Sequence, residues 1–168
     1  MDSQLAIAYL SALIILLSVV AGLVIRQIIK NRRQEQIIAE LQPKLQKGKG
    51  TGTEHYQLGA VYLRKKLYAK AIAELQKAIK EPDAPLPEAY NALGYVYFCQ
   101  EQYDLAIKHY REALELQPQY IAALNNLAHA YEKKRLIPQA IEMYERTLSL
   151  DSKNDIAKRR LSSLKKRV

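Results

Sequence analysis

NALGYVYFCQEQYDLAIKHYREAL, residues 91–114, decides the fold, because its pattern recurs on both sides. YDLAI (103–107) is preceded by YAKAI (68–72) and followed by IPQAI (137–141), at steps of 35 and 34 residues. The same steps relate Leu58, Leu93 and Leu127, then Gly59, Gly94 and Ala128, then Tyr62, Tyr97 and Tyr131. They also relate Ala71, Ala106 and Ala140, then Leu75, Tyr110 and Tyr144, then Ala78, Ala113 and Thr147. No segment reads convincingly as a strand. A unit of this length, made of two helices, must stack on its neighbours to bury its apolar face. The expectation is an all-α solenoid. The Gly or Ala after each Leu lets the two helices of a unit approach closely, with Ala71, Ala106 and Ala140 as small partners on the second helix. The Tyr three residues later fills the space between helices.

This pattern resembles the tetratricopeptide repeat, two antiparallel helices in about 34 residues. It places three helix-turn-helix repeats at about 52–86, 87–120 and 121–154, within a repeat domain over 53–154. Pro118 closes the second. EPDAPLP (81–87) carries one extra residue and should slightly open the first junction. The third repeat has Thr147 for the usual Ala and Ser152 for the usual Pro. Thr51 to Glu54 and Ser152 to Asp155 have capping-box spacing. Residues 155–168 read as a basic capping helix, docked through Ile156, Leu161 and Leu164.

The N-terminal part has a different character. LAIAYLSALIILLSVVAGLVI (5–25) is uncharged. As a helix it would span roughly 32 Å, close to a hydrocarbon core of about 30 Å. Ser11 and Ser18 are its clearly polar residues, and a helix can return a serine hydroxyl to its own backbone. Residues 1–25 therefore read as a transmembrane anchor, contacting lipid over 5–25. A cleaved leader would open on positive charge, whereas here Asp2 comes first and the positives follow; VVA (19–21) is nonetheless a passable cleavage site. Arg26, Lys30, Arg32 and Arg33 after the span put the C-terminal part on the cytoplasmic side by the positive-inside rule. Residues 26–52 read as a basic juxtamembrane helix with an Ile37, Ile38, Leu41, Leu45 stripe. That helix should bend or end near Pro43, serve mainly as a solvated spacer, and lead into the Gly-rich hinge KGKGTG (47–52).

The formal charge of +9 is unevenly spread. Residues 26–52 carry seven Lys/Arg against two Glu, and 156–168 carry six Lys/Arg and no acid. Residues 53–155 carry thirteen against fourteen acids, close to neutral. A domain gripping nucleic acid would hold the charge itself, so no nucleic-acid partner is expected. Basic flanks suit anionic headgroups or an acidic partner. His55, His109 and His129 have neither metal-ligand nor carboxylate-paired spacing. Cys99 has no activating histidine nearby in sequence and reads as a half-buried apolar residue. The reading is a non-enzyme with no cofactor and no metal.

The resemblance to tetratricopeptide repeats also implies which residues bind. First helices line a concave groove. Carried onto this chain, the groove positions are Tyr56, Ala60, Leu63 and Arg64 in the first repeat. They are Asn91, Tyr95, Phe98 and Cys99 in the second, and Ala122, Asn125, His129, Glu132 and Lys133 in the third. Aromatic anchors beside amides suit an extended or helical peptide. Repeat proteins that clamp a chaperone's acidic tail use Lys, Asn and Arg where this chain has Tyr56, Ala60, Ala92, Ala122 and Asn126. That clamp is not expected here.

Over nearly its whole length the chain also resembles the conserved chloroplast reading frame family of cyanobacteria and algal plastids. EHYQLGAVYLRKKLY (54–68), residues 91–114 and ALNNLAHAYEKK (123–134) carry the likeness, together with the anchor. The resemblance implies a single-pass thylakoid protein, its repeats facing cytoplasm or stroma, that assembles or stabilises photosystem I. Its partners would be photosystem I subunits or assembly intermediates. A membrane receptor for protein targeting, or an assembly factor for another membrane complex, is the alternative.

Overall fold

A computed structural model describes residues 2–80 and 86–166. Most of the stretch 81–87 whose extra residue is expected to open the first junction, residues 81–85, lies outside the described residues. The elements are all helical: α1 Asp2–Gln46, α2 Gly52–Arg64, α3 Tyr68–Lys80, α4 Pro87–Cys99, α5 Tyr103–Leu116, α6 Ile121–Lys133, α7 Ile137–Leu150 and α8 Asp155–Lys165. The chain divides into two units, residues 1–40 and 41–168.

Residues 2–40 form most of α1. Ser11 Oγ donates to the Ala8 carbonyl at 2.9 Å and Ser18 Oγ to the Ile14 carbonyl at 2.8 Å, so both hydroxyls return to their own helix. Its large apolar side chains from Leu5 to Ile29 stand exposed. This helix is long and apolar enough to cross a membrane, with a mean hydropathy of 2.6 in its most apolar window. It ends at Gln46, three residues past Pro43.

The second unit begins with the last turns of α1. Leu41 and Leu45 are buried, which corrects the expectation of a solvated spacer for this end of the helix. Lys44 pairs with Glu54, and Tyr62 Oη donates to Gln42 Oε1 at 3.3 Å. The glycine-rich stretch forms a turn. Gly48, at φ +69°, ends α1, and Thr51 and Glu54 make the expected capping box on α2.

Helices α2/α3, α4/α5 and α6/α7 are three antiparallel pairs, and each pair packs on the next. The turn inside each pair is built identically. Lys66, Glu101 and Arg135 sit at φ 58–60°, in the left-handed region. The amides after them, of Leu67, Gln102 and Leu136, each donate at 2.9 Å to the carbonyls of Tyr62, Tyr97 and Tyr131. This six-to-one bond is the Schellman closure, in which Gly is the usual left-handed residue. Here three charged residues adopt it.

Close approach inside each pair rests on the small residues. A Cβ at Gly59 would lie 2.8 Å from Leu75 Cγ, and one at Gly94 would lie 2.7 Å from Tyr110 Cδ1. Ala71, Ala106 and Ala140 are fully buried opposite, and Ala128 is fully buried at the position equivalent to the two glycines. Thr147 is buried where the other repeats have Ala, and its hydroxyl returns to the Met143 carbonyl at 3.0 Å. Of the three equivalent tyrosines, Tyr62 is buried while Tyr97 and Tyr131 are half-buried.

Two core tyrosines at equivalent positions differ in their hydroxyls. Tyr144 Oη donates to Glu132 Oε2 at 3.4 Å. Tyr110 Oη is buried and has no partner. A buried unpaired hydroxyl costs about 1–3 kcal/mol, and a typical paired one contributes roughly 1 kcal/mol. Tyr110→Phe should therefore leave stability unchanged or raise it, while Tyr144→Phe should lower it by about 1 kcal/mol. Urea unfolding of the two variants checks this, and equal losses would contradict the difference in their surroundings.

Helix α8 is capped by Asn154, whose Oδ1 accepts from the Ala157 amide at 3.1 Å, not by Ser152 as expected. Ala157 and Leu164 are buried, and Leu161 is partly buried against the same core. Ile156 is 54% exposed, so it does not dock the helix. Adjacent residues on a helix point about 100° apart, and the small Ala157 occupies the close contact instead.

Candidate functional site

The first helices lie on the inner side of the curve: α2 touches α4 and α4 touches α6, whereas α3, α5 and α7 make no comparable contact with one another. The concave wall is therefore lined by α2, α4 and α6.

Tyr56 and Leu63 are half-buried on this wall and Arg64 is exposed. Burial, followed by the Glu88 charge, pushes the Tyr56 phenol above its ordinary range, and Arg64 opposes this. Tyr95 is 44% exposed, and its ring stacks on Phe98 at 6.4 Å between centroids. Phe98 also meets the His129 ring at 4.8 Å and the edge of Tyr103 at 5.4 Å. Thus α4 and α6 join into one aromatic strip. Cys99 is half-buried beside Tyr68 and Tyr95.

The amides follow. Asn126 Nδ2 donates to Asn91 Oδ1 at 2.9 Å, and Asn91 Nδ2 to Tyr120 Oη at 3.5 Å. This ties repeat two to repeat three, so Asn91 already serves the structure. Asn125 Nδ2 donates to Asn154 Oδ1 at 3.4 Å, while its own Oδ1 is buried without a partner. Glu132 accepts from Arg160 Nη1 at 3.1 Å as well as from Tyr144. Lys133 is exposed and acts on His129 as a nearby charge.

Beyond α6 the wall continues onto α8. Asn125, Asn126, His129, Tyr144, Ile156, Arg159 and Arg160 line a cavity of about 480 Å³. The sequence expectation missed Ile156, Arg159 and Arg160 as wall residues, and named Asn126 only among the positions of the clamp it argued against. The signal was available: one further step of 34 residues carries Ala122 onto Ile156 and Asn125 onto Arg159. Helix α8 is thus built as a first helix.

The histidines are better partnered than their spacing suggested. His55 Nδ1 lies 2.6 Å from Glu74 Oε2, a pair that closes across the α2/α3 hairpin. His109 Nδ1 lies 2.6 Å from Glu112 Oε2, and its ring stacks on Tyr97. Among the described residues, no group of three or more His, Cys, Asp or Glu could hold a metal ion. Burial holds His109 and His129 below the usual imidazole range. Glu112 opposes the shift at His109, and Arg160 adds to it at His129. The unfolded chain therefore binds more protons than the folded array just below the ordinary imidazole value of about 6.5. Stability is full above that value and is lost as pH falls through it. Urea midpoints should drop from about pH 7 to about pH 5, and less steeply in a His109→Gln, His129→Gln variant. Identical slopes would contradict these two groups as the cause.

Tetratricopeptide repeat models match residues 55–82 and 85–153. The chain is 40% identical over 170 residues to the tetratricopeptide repeat domain-containing protein PYG7, chloroplastic, of Arabidopsis thaliana. That match covers 99% of this chain and 56% of PYG7, so the chain spans about half of that relative's length. It is 36% identical to ycf37 of Cyanophora paradoxa, covering 96% of both chains. Among solved structures, the first tetratricopeptide domain of Spaghetti (RPAP3), bound to the HSP90 peptide SRMEEVD, superposes with a TM-score of 0.67 at 21% identity. That superposition covers 70% of this chain and 92% of the RPAP3 domain.

Proposed function

Because the chain belongs to the tetratricopeptide-repeat family of ycf37 and PYG7, we propose that it is a membrane-anchored scaffold that holds photosystem I subunits or intermediates during assembly. The single observation behind this reading is the continuous concave wall of aromatic and amide side chains over α4 and α6. That wall belongs to a chain whose N-terminal helix is long and apolar enough to span a bilayer. Protein binding follows from the wall and the repeat family, and a non-enzymatic role follows from the same family. The thylakoid and photosystem I assignment draws on the chloroplast relatives and on the family resemblance of residues 54–68, 91–114 and 123–134. In this reading α1 crosses the thylakoid membrane once and the repeats face cytoplasm or stroma.

Tethering adds a physical advantage. It confines the groove to a thin layer over the bilayer and raises its effective concentration for membrane clients. The test is affinity isolation of the tagged protein from gently solubilised membranes, with partners identified by mass spectrometry. Photosystem I core subunits in sub-stoichiometric intermediates are the expected result. Enrichment of translocation components or soluble precursors, with photosystem subunits at background, would move the function to targeting.

A further inference from the structure

The concave wall is chemically divided. Toward α2 and α4 it offers Tyr56, Leu63, Tyr95 and Phe98, with the only exposed large apolar side chain of α4, Tyr95, on its surface. Toward α8 it turns polar and cationic, around the 480 Å³ cavity that Asn125, Asn126, Arg159 and Arg160 line. Resting on the peptide-binding reading above, we infer that the cavity between α6 and α8 takes an acidic side chain of an extended client segment, while the Tyr95–Phe98 strip takes an apolar or aromatic residue of the same segment.

Charge selects the occupant. Two guanidinium groups reach this cavity, and one of them, Arg160, is matched by Glu132 at 3.1 Å. Arg159 donates from Nε to the Asp155 carbonyl at 3.3 Å, a backbone contact that leaves its charge unneutralised. Among the described residues, no carboxylate pairs with Arg159. Arg159 therefore leaves an unbalanced positive charge on the cavity wall, to which the exposed Lys133 near His129 adds, and a carboxylate side chain meets it. A guanidinium binds a carboxylate through parallel N–H donors, and such charge-assisted bonds are about twice as strong as neutral ones. Doubly charged phosphate suits the cavity less well, because Glu132 sits on the same wall. Ile156, 54% exposed beside Arg159, adds an apolar contact that a lone ion would not use. A peptide residue next to the acid would cover it.

The arrangement differs from a clamp made by repeat residues alone. The cation comes from α8, which follows the third repeat and continues its first-helix spacing. The helix that closes the core thus also supplies the specificity-determining charge. The segment lies across the groove, so the acid is a side chain within it, not a terminal carboxylate.

The probe is a library of random short peptides with both ends blocked, selected on the full chain in detergent micelles. Enriched peptides should carry Asp or Glu at a fixed spacing from an aromatic or aliphatic residue. Arg159→Glu should replace the acid by Lys or Arg in the selected set and weaken the best original peptide by roughly tenfold or more. Tyr95→Ala should weaken the aromatic preference and leave the acidic one. Both positions are exposed, and helical circular dichroism confirms that the variants fold. Unbiased selection at the acidic position, or a set unchanged by Arg159→Glu, would overturn the assignment. A second library with free ends separates the two carboxylate sources: binding that requires a free C-terminus would overturn the side-chain assignment. If neither library yields any enriched peptide, the peptide-binding reading itself fails along with this one.

Discussion

Truncating Tyr110 to alanine should destabilise the repeat array by about 3–5 kcal/mol, toward the lower end of that range. The ring is fully buried and lies against Gly94, where an added Cβ would come within 2.7 Å of two of its carbons. Few alternative side chains could fill that space, because Ala106 and Ala113 beside it are small and fully buried. The α4/α5 and α5/α6 contacts both weaken, since α5 carries the ring into the shared core. The offset is the loss of an unpaired buried hydroxyl, worth about 1–3 kcal/mol. A second variant isolates the packing. In the native background Gly94→Ala gains about 1 kcal/mol of helix propensity but forces a close contact that typically costs about 1–3 kcal/mol. In the Tyr110→Ala background the ring contact is gone and only the Ala106 carbonyl, 3.1 Å from the added Cβ, stays close, so Gly94→Ala should cost clearly less than in the native background. Urea titrations of the four proteins give the coupling, and simple additivity would show that ring and glycine do not compete for the same space.

Deleting residues 1–25 should move the protein entirely from the membrane pellet to the soluble fraction. Fourteen large apolar side chains between Leu5 and Ile25 are 48–75% exposed. Each is worth about 1.5–3 kcal/mol when fully buried, so together they supply on the order of tens of kcal/mol for entering hydrocarbon. No reversible surface attachment matches that. The full chain should resist alkaline carbonate extraction, whereas the truncated one should not sediment with membranes at all. Groove affinity for a selected peptide should be unchanged in the truncated protein, while complementation of a strain lacking the gene should be impaired. Equal complementation by the soluble fragment would sink the tethering argument.

The solenoid was legible because its constraints are local and repeated. Leu58, Leu93 and Leu127 return every 34 or 35 residues, next to the small residues that contact demands. The wall was legible at Tyr95, Phe98, Asn125 and His129, since an inward position on one first helix implies the next. The end of the array was less so. Ile156 outweighed Ala157 as an apolar residue, yet close helix packing selects the smaller side chain, and the larger one faces the cavity. Pairing across a hairpin was also hidden: His55 and Glu74 are 19 residues apart and meet only once α2 and α3 fold together. The left-handed turns gave no glycine to announce them, because Lys66, Glu101 and Arg135 carry their conformation through the bonds that follow.

Contact confined to sequential and next-but-one helices has a consequence for biosynthesis. As the chain leaves the ribosome, α3 finds α2 already present, α4 finds α3, and the pattern continues to α8. No helix waits for a distant segment, so loop-closure entropy stays small at every step. Growth is vectorial: each newly made helix is a partner for the last, and exposed apolar surface is confined to the growing tip. Translation itself then orders the assembly of the array, with the Asn154-capped helix α8 docking after α7.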